Sequence, residues 1–268
     1  MKQLVSPLFA MIAAQLLAGV AVADRSEARI ENSWLMLVKT TSTDPAKETQ
    51  FNEWYDNIDI PDVLDVPGYM RARRGLRVAD VESPASDSHN DDGRYVALYD
   101  IKSQDIDKTI IDMLMATRKM EMAGRSTDLL KVTERVYYRQ YAPAYEAPNA
   151  KPSGSNEYLL LERVVCCRDQ AAEERFNDWY DNTHIPGLGQ AKGFIRATRY
   201  ELYRVLMVEP KQVPTFLTVY EMKSESAGQA VKAVREAAEK LQEAGRMSKL
   251  FVAGGSVMYL KIKDVRNR

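Results

Sequence analysis

Histidine is scarce in this sequence of 268 residues: there are two, His89 and His184. Cysteine is as rare, and the two present, Cys166 and Cys167, are neighbours. That inventory excludes a disulfide framework and offers none of the ligand spacings of a zinc site, so neither a metal nor another cofactor is expected. Adjacent residues of an extended strand point to opposite faces, which makes Cys166 and Cys167 one core and one surface thiol, with no bridge between them. Charge of one sign is missing too. The 37 Lys and Arg against 38 Asp and Glu leave a net charge of −1, scattered along the chain, and this argues against a nucleic-acid surface.

What is present is a repetition. Phe51–Asp62 (FNEWYDNIDIPD) and Phe176–Gly187 (FNDWYDNTHIPG) are identical at eight of twelve positions at a constant offset of 125. Gly68–Ala72 matches Gly193–Ala197 at the same offset, and Tyr99–Ser103 matches Tyr220–Ser224 at 121. The match therefore extends over a whole unit, as in an internal duplication. The first copy is four residues longer between these points, which assigns the excess to the polar run 80–93, a surface loop by composition. The copies differ where chemistry can sit, because Asp59 in the first corresponds to His184 in the second.

Residues 1–23 carry one Lys, an apolar middle interrupted by Ser6, Pro7 and Gln15, and Ala-Val-Ala before Asp24. This is the layout of a signal peptide cut after Ala23, so the chain is expected to be exported, periplasmic or secreted, with no stable membrane anchor after processing. The remaining roughly 245 residues suffice for two small fused units.

Periodicity places the same elements in each copy. In the first (residues 33–141), strand 34–41 leads to a helix capped by Asp44 with Pro45 at its first position. Phe51, Trp54, Tyr55 and Ile58 share a face of that helix, which is expected to stop before Pro61. Strands 69–78 and 95–102 follow, then a helix from Asp105 with Ile106, Ile110, Met113, Leu114 and Thr117 inward, then strand 131–141. The second copy (157–263) repeats strand 157–166, helix 169–182, strands 194–205 and 215–222, helix 226–244 and strand 250–261. Residues 142–156, with three prolines, read as a linker. A βαββαβ unit is the ferredoxin-like motif, four antiparallel strands with both helices on one face. The expected fold is α+β: two tandem ferredoxin-like units packed sheet to sheet as an intramolecular dimeric α/β barrel, helices outside and an apolar space between the sheets.

The pattern F-N-x-W-Y-x-x-x-H-x-P at Phe176–Pro186, followed by Gly193-Phe194 and a strand bearing Arg196, resembles the EthD-like branch of the dimeric α/β-barrel superfamily. The resemblance covers both copies and implies a barrel with a pocket in each half. Its relatives include dehydratases, isomerases, cyclases and cofactor-free monooxygenases. It transfers a histidine role to His184 alone, because the first copy has Asp59 in that place.

On this reading His184 moves a proton on a small apolar carbonyl, lactone or aromatic compound, as a lyase or isomerase of dehydration or elimination type. Its place near a helix C-terminus favours imidazolium and an apolar pocket disfavours it. Phe176, Trp179, Tyr180 and Arg196 are the expected substrate contacts. Against this, the aromatic pairs Trp54/Tyr55 and Trp179/Tyr180 occur in both copies and also suit a core, and Arg71 and Arg196 also suit a surface ion pair. Two other functions stay open. One is an exported binding protein for a small apolar ligand, and the other is a haem protein with His184 as axial ligand. There is room for a further homo-oligomer.

Overall fold

The computed structural model describes residues 30–78, 93–148, 152–167, 169–208, 214–251 and 253–267. The expected signal peptide 1–23 and His89 lie outside them.

The chain opens with β1 (Ser33–Ser42), then a short 3-10 turn N-capped by Asp44 and continued by α1 (Glu48–Trp54). Its helical run passes through a π-helical turn, Tyr55–Asp59, directly into α2 (Ile60–Leu64). β2 (Tyr69–Arg77), β3 (Tyr95–Lys102), α3 (Ile106–Met122, N-capped by Asp105) and β4 (Leu130–Gln140) complete the first half. A two-residue β5 (Tyr145–Glu146) precedes the second half. This repeats the pattern with β6 (Asn156–Val164), α4 (Gln170–Trp179), a π-helical turn at Tyr180–His184, and α5 (Ile185–Leu188). β7 (Phe194–Val208), β8 (Phe216–Ser224), α6 (Ala227–Glu243) and β9 (Ala253–Arg266) follow.

The strands run β4-β1-β3-β2-β9-β6-β8-β7, all antiparallel, and β7 returns to pair with β4. The result is a closed eight-stranded barrel with four helical runs outside it, and β5 added beside β7. The sequence reading put two sheets face to face; here they meet edge to edge along β2–β9 and β4–β7. Edge pairing satisfies backbone groups that two open sheets would leave unmatched. The expected apolar space inside is filled by side chains from both halves, among them Leu37, Leu98, Tyr138, Leu161, Leu217 and Tyr259. Ion pairs that cross between halves close the barrel ends: Arg73 with Glu221 at 2.9 Å, and Arg163 with Glu134 at 2.6 Å.

Two further cores lie between the helices and the outer barrel wall, one in each half. Gly68 and Gly193 start β2 and β7 with φ of +96° and +87°, where an added Cβ would run into the carbonyls of Lys102 and Lys223. Leu114, expected inward, is 45% exposed, because α3 turns Ile106, Thr109, Ile110 and Met113 to the wall. Within the interval read as a linker, Tyr145 and Glu146 lie against the second half: β5 pairs with β7, and the Tyr145 ring packs on Phe194.

The sequence argument for unbridged cysteines is overturned. The chain leaves β6 at Val164, and Cys167 adopts φ of +64°, so strand alternation no longer applies and Cys166–Cys167 form a vicinal disulfide. Among the described residues, no helix is long and apolar enough to cross a membrane, and no cluster of His, Cys, Asp and Glu is arranged to hold a metal ion.

Candidate functional site

The helical run of the second half was expected to end before its proline, as was that of the first. Both continue. In the π-helical turns the amide of Ile60 bonds to the Tyr55 carbonyl and that of Ile185 to the Tyr180 carbonyl, five residues back. This wider turn leaves room for Pro61 and Pro186, whose rings would crowd a regular turn. His184 is therefore the last residue of a π-helical turn inside a continuous run, not a group at a helix C-terminus, and the dipole argument does not reach it. Phe176, Tyr180 and His184, four residues apart, are all buried against the barrel wall.

The partner of His184 comes from outside the motif. Its Nε2 lies 3.0 Å from Oε2 of Glu162 on β6. The hydroxyls of Tyr180 and Tyr220 donate to the same oxygen at 2.5 and 2.9 Å, and Thr218 Oγ1 stands 2.8 Å from the Tyr180 hydroxyl. Burial pushes the Glu162 carboxyl up, but His184 and the tyrosine hydroxyls outweigh it and hold the group below the usual range, as a carboxylate. Burial and this carboxylate push the Tyr180 and Tyr220 hydroxyls well above theirs. The imidazole lies among Trp179, Tyr180 and Phe251, with ring centroids at 5.0, 4.6 and 5.1 Å. His184 is 3% exposed, and its Nδ1 has no hydrogen-bond partner.

Of the expected contacts, Trp179 and Tyr180 are thus at the histidine, while Phe176 is a core residue that packs against both of them. Arg196 is not at the site. A register shift between Phe194 and Arg196 turns it away from the helix side, and it pairs with Glu221 at the barrel end; Arg71 pairs with Asp264 in the same manner. The arginines that do approach the motif are Arg74 and Arg199, three residues further along the same strands. Arg74 bonds Asn52 and Asp56, and Arg199 bonds Asn177 and Asp181, each guanidinium lying on aromatic rings. This clamp accounts for the paired Asn and Asp of both motifs as structural groups.

In the first half Asp59 holds the position of His184, and Val38 holds that of Glu162: Val38 pairs with Ala97 on β3 as Glu162 pairs with Thr218 on β8. The charged partner stands instead on β4. There β1 and β4 shift register between Lys39 and Thr40, and this shift lets both Val132 and Arg135 face the helices. Tyr99 donates to Asp59 at 3.2 Å and also bonds Tyr55. These groups line a cavity of about 170 Å³ between the helices and the wall. Burial raises the Asp59 carboxyl to about 6, with Arg135 and Tyr99 acting in the opposite direction.

No family model matches the sequence, and no curated protein matches it. Solved structures share its fold. An anthrone oxidase-like protein has a TM-score of 0.55 at 16% identity, covering 88% of this chain and 94% of its own. A candidate monooxygenase from Fusobacterium nucleatum reaches 0.50 at 7% identity, over 88% and 95%. A heme complex of a DypB variant from Rhodococcus jostii RHA1 reaches 0.51 at 10% identity, over 85% and 92%. With the closed barrel and its outer helices, this similarity gives the chain the dimeric α/β-barrel fold.

Proposed function

We propose that the chain is an enzyme that removes a proton from a small, largely apolar carbonyl or aromatic compound, with His184 as the base. The observation that carries this reading is the division of labour on one imidazole. Nε2 is held by Glu162, and Nδ1 is buried without a partner. A carboxylate at Nε2 fixes the tautomer with its proton there, which leaves the Nδ1 lone pair to accept the substrate proton. The imidazolium so formed is paired with Glu162 at once, and Trp179 and Phe251 supply an aromatic surface for a flat substrate. The chemistry runs on the chain's own side chains and needs no bound cofactor.

The paired elements and clamps support a tandem of ferredoxin-like units of the EthD-like branch in which one member keeps the histidine. The names of two fold neighbours, anthrone oxidase-like and candidate monooxygenase, favour oxidation of an aromatic compound, with dioxygen as the co-substrate that takes the electrons of the deprotonated carbon, over the elimination or isomerisation read from the sequence. Loss of a proton from a carbon acid is a first step common to these reactions. The heme-bound fold neighbour keeps a haem role open as an alternative, against which stand the bond of Nε2 to Glu162 and the three rings around the imidazole. A purely binding role is the second reading, since an aromatic box with one unmatched acceptor also suits a bound phenol. Export of the mature chain stays part of the proposal.

The test is deuterium uptake from D2O into a panel of ketones with acidic C–H bonds, anthrone among them, followed by NMR. Exchange catalysed above the buffer rate and lost in Glu162→Gln supports the enzyme. Saturable binding with no added exchange leaves the binding role.

A further inference from the structure

The cavity of the first half is lined on many sides by apolar groups such as Met36, Val38, Val63, Met113 and Leu130, yet Asp59 and Arg135 enter it, and Glu121, paired with Arg118, also lines it. Arg135 is partly buried, its Nε is buried without a hydrogen-bond partner, and among the described residues no carboxylate pairs with it at salt-bridge distance. The register shift on β4 aims it inward, although an exposed strand arginine could reach solvent at no cost. Asp59 shares the cavity and interacts with Arg135 electrostatically, but without a direct ion pair the guanidinium keeps donors free in a largely apolar cavity, which a planar carboxylate matches. About 170 Å³ is slightly more than the engineered cavities that admit benzene, and so suits one aromatic ring with a short polar substituent.

We propose that this cavity is a binding site for a monoaromatic carboxylate of about benzoate size, its carboxylate on Arg135 and its ring among the methionines and valines. The site is separate from the His184 cluster and does not rest on the function assigned to it. Asp59 gives the site its pH dependence. The charged and titratable groups around it are Tyr55 and Asp62 on its own helical run, Arg74 on β2, Tyr99 on β3, Arg135 on β4 and Glu121 on α3, where Glu121 pairs with Arg118. An ionised Asp59 would compete with the ligand for Arg135 and repel it, whereas a protonated Asp59 donates a hydrogen bond to it. Binding therefore takes up a proton and strengthens as pH falls toward 6 and below.

Calorimetric titration of the full chain with benzoate at pH 5.5 and 7.5 tests this. The expected result is saturable binding roughly 10- to 30-fold tighter at pH 5.5, following the fraction of Asp59 in the acid form. Asp59→Asn should bind with nearly the same affinity at both values. Arg135→Met should lose binding, and Thr117→Phe, which fills the cavity from α3 without removing either charge, should lose it with an unchanged circular dichroism spectrum. No benzoate binding to the wild type at either pH overturns the site. So does binding that survives in folded Arg135→Met or Thr117→Phe, or benzamide binding as tightly as benzoate.

Discussion

Eight residues after Phe51 the first half carries Asp59, and eight after Phe176 the second carries His184; around each, the countercharge sits on a different strand. The acid of the first half faces Arg135 from β4, and the base of the second faces Glu162 from β6. What surrounds them is held in common. Both π-helical turns precede a proline, both tryptophans donate to a carbonyl just past the long helix (Trp54 to Arg125, Trp179 to Arg246), and both motifs are clamped by a buried arginine. The difference teaches that the scaffold of each half is independent of the polarity of its site. A titratable side chain at this position is tolerated whether it is an acid or a base, provided a strand facing it supplies a complementary group.

The largest expected effect falls on the second half alone. Glu162→Gln removes the carboxylate that fixes the imidazole tautomer, and proton-transfer activity should drop about 10²–10⁴-fold, the range typical of a misplaced acid or base. Nitrogen-15 NMR of His184 should show the proton on Nε2 in the wild type and a mixed tautomer in the variant. A wild-type proton on Nδ1 would break the assignment of the base.

An effect on stability should be shared. Arg74→Met and Arg199→Met each strip a buried clamp of its hydrogen bonds and leave an aspartate without its cation, so each should cost roughly 2–4 kcal/mol in denaturant unfolding, equal to within about 1. A loss confined to one half would show that the clamps are not equivalent.

The smallest effect belongs to the first half. The folded carboxyl of Asp59 lies at about 6, above its ordinary value of 3.8. Below about pH 4 both folded and unfolded chains hold the proton; as pH rises from 4 to 6 the unfolded chain releases it first, so stability is lost over that window. Asp59→Asn lacks this loss. Its melting temperature relative to wild type should climb between pH 4 and 6 and level off above about 7. A difference that stays constant with pH would mean that Asp59 is not held protonated by burial.

Much of this was legible in the sequence, and the failures have physical causes. The constant offset gave the paired elements, their caps and the contrast of Asp59 with His184, because local periodicity is written in neighbouring residues. Glu162 was missed as a partner although a signal existed: it interrupts the apolar run of β6 and stands where the first half has Val38. Arg135 and Arg196 could not be placed, since a register shift decides which face each takes and leaves no mark in the alternation pattern. Pro61 misled because the rule against helix before proline assumes a regular turn, and the π-helical geometry removes the clash. Cys167 escaped because strand alternation was applied past the end of the strand.

The most direct test of the account compares deuterium exchange into one accepted carbon acid by His184→Ala and Asp59→Ala, with melting temperatures measured on the same samples. The account predicts a loss of about 10²–10⁴-fold for the folded fraction of His184→Ala, with a lowered melting temperature because Glu162 is left buried without its imidazole, and less than about 3-fold for Asp59→Ala. Equal losses from both folded variants would contradict it, because they would require one catalytic pocket shared by the two halves.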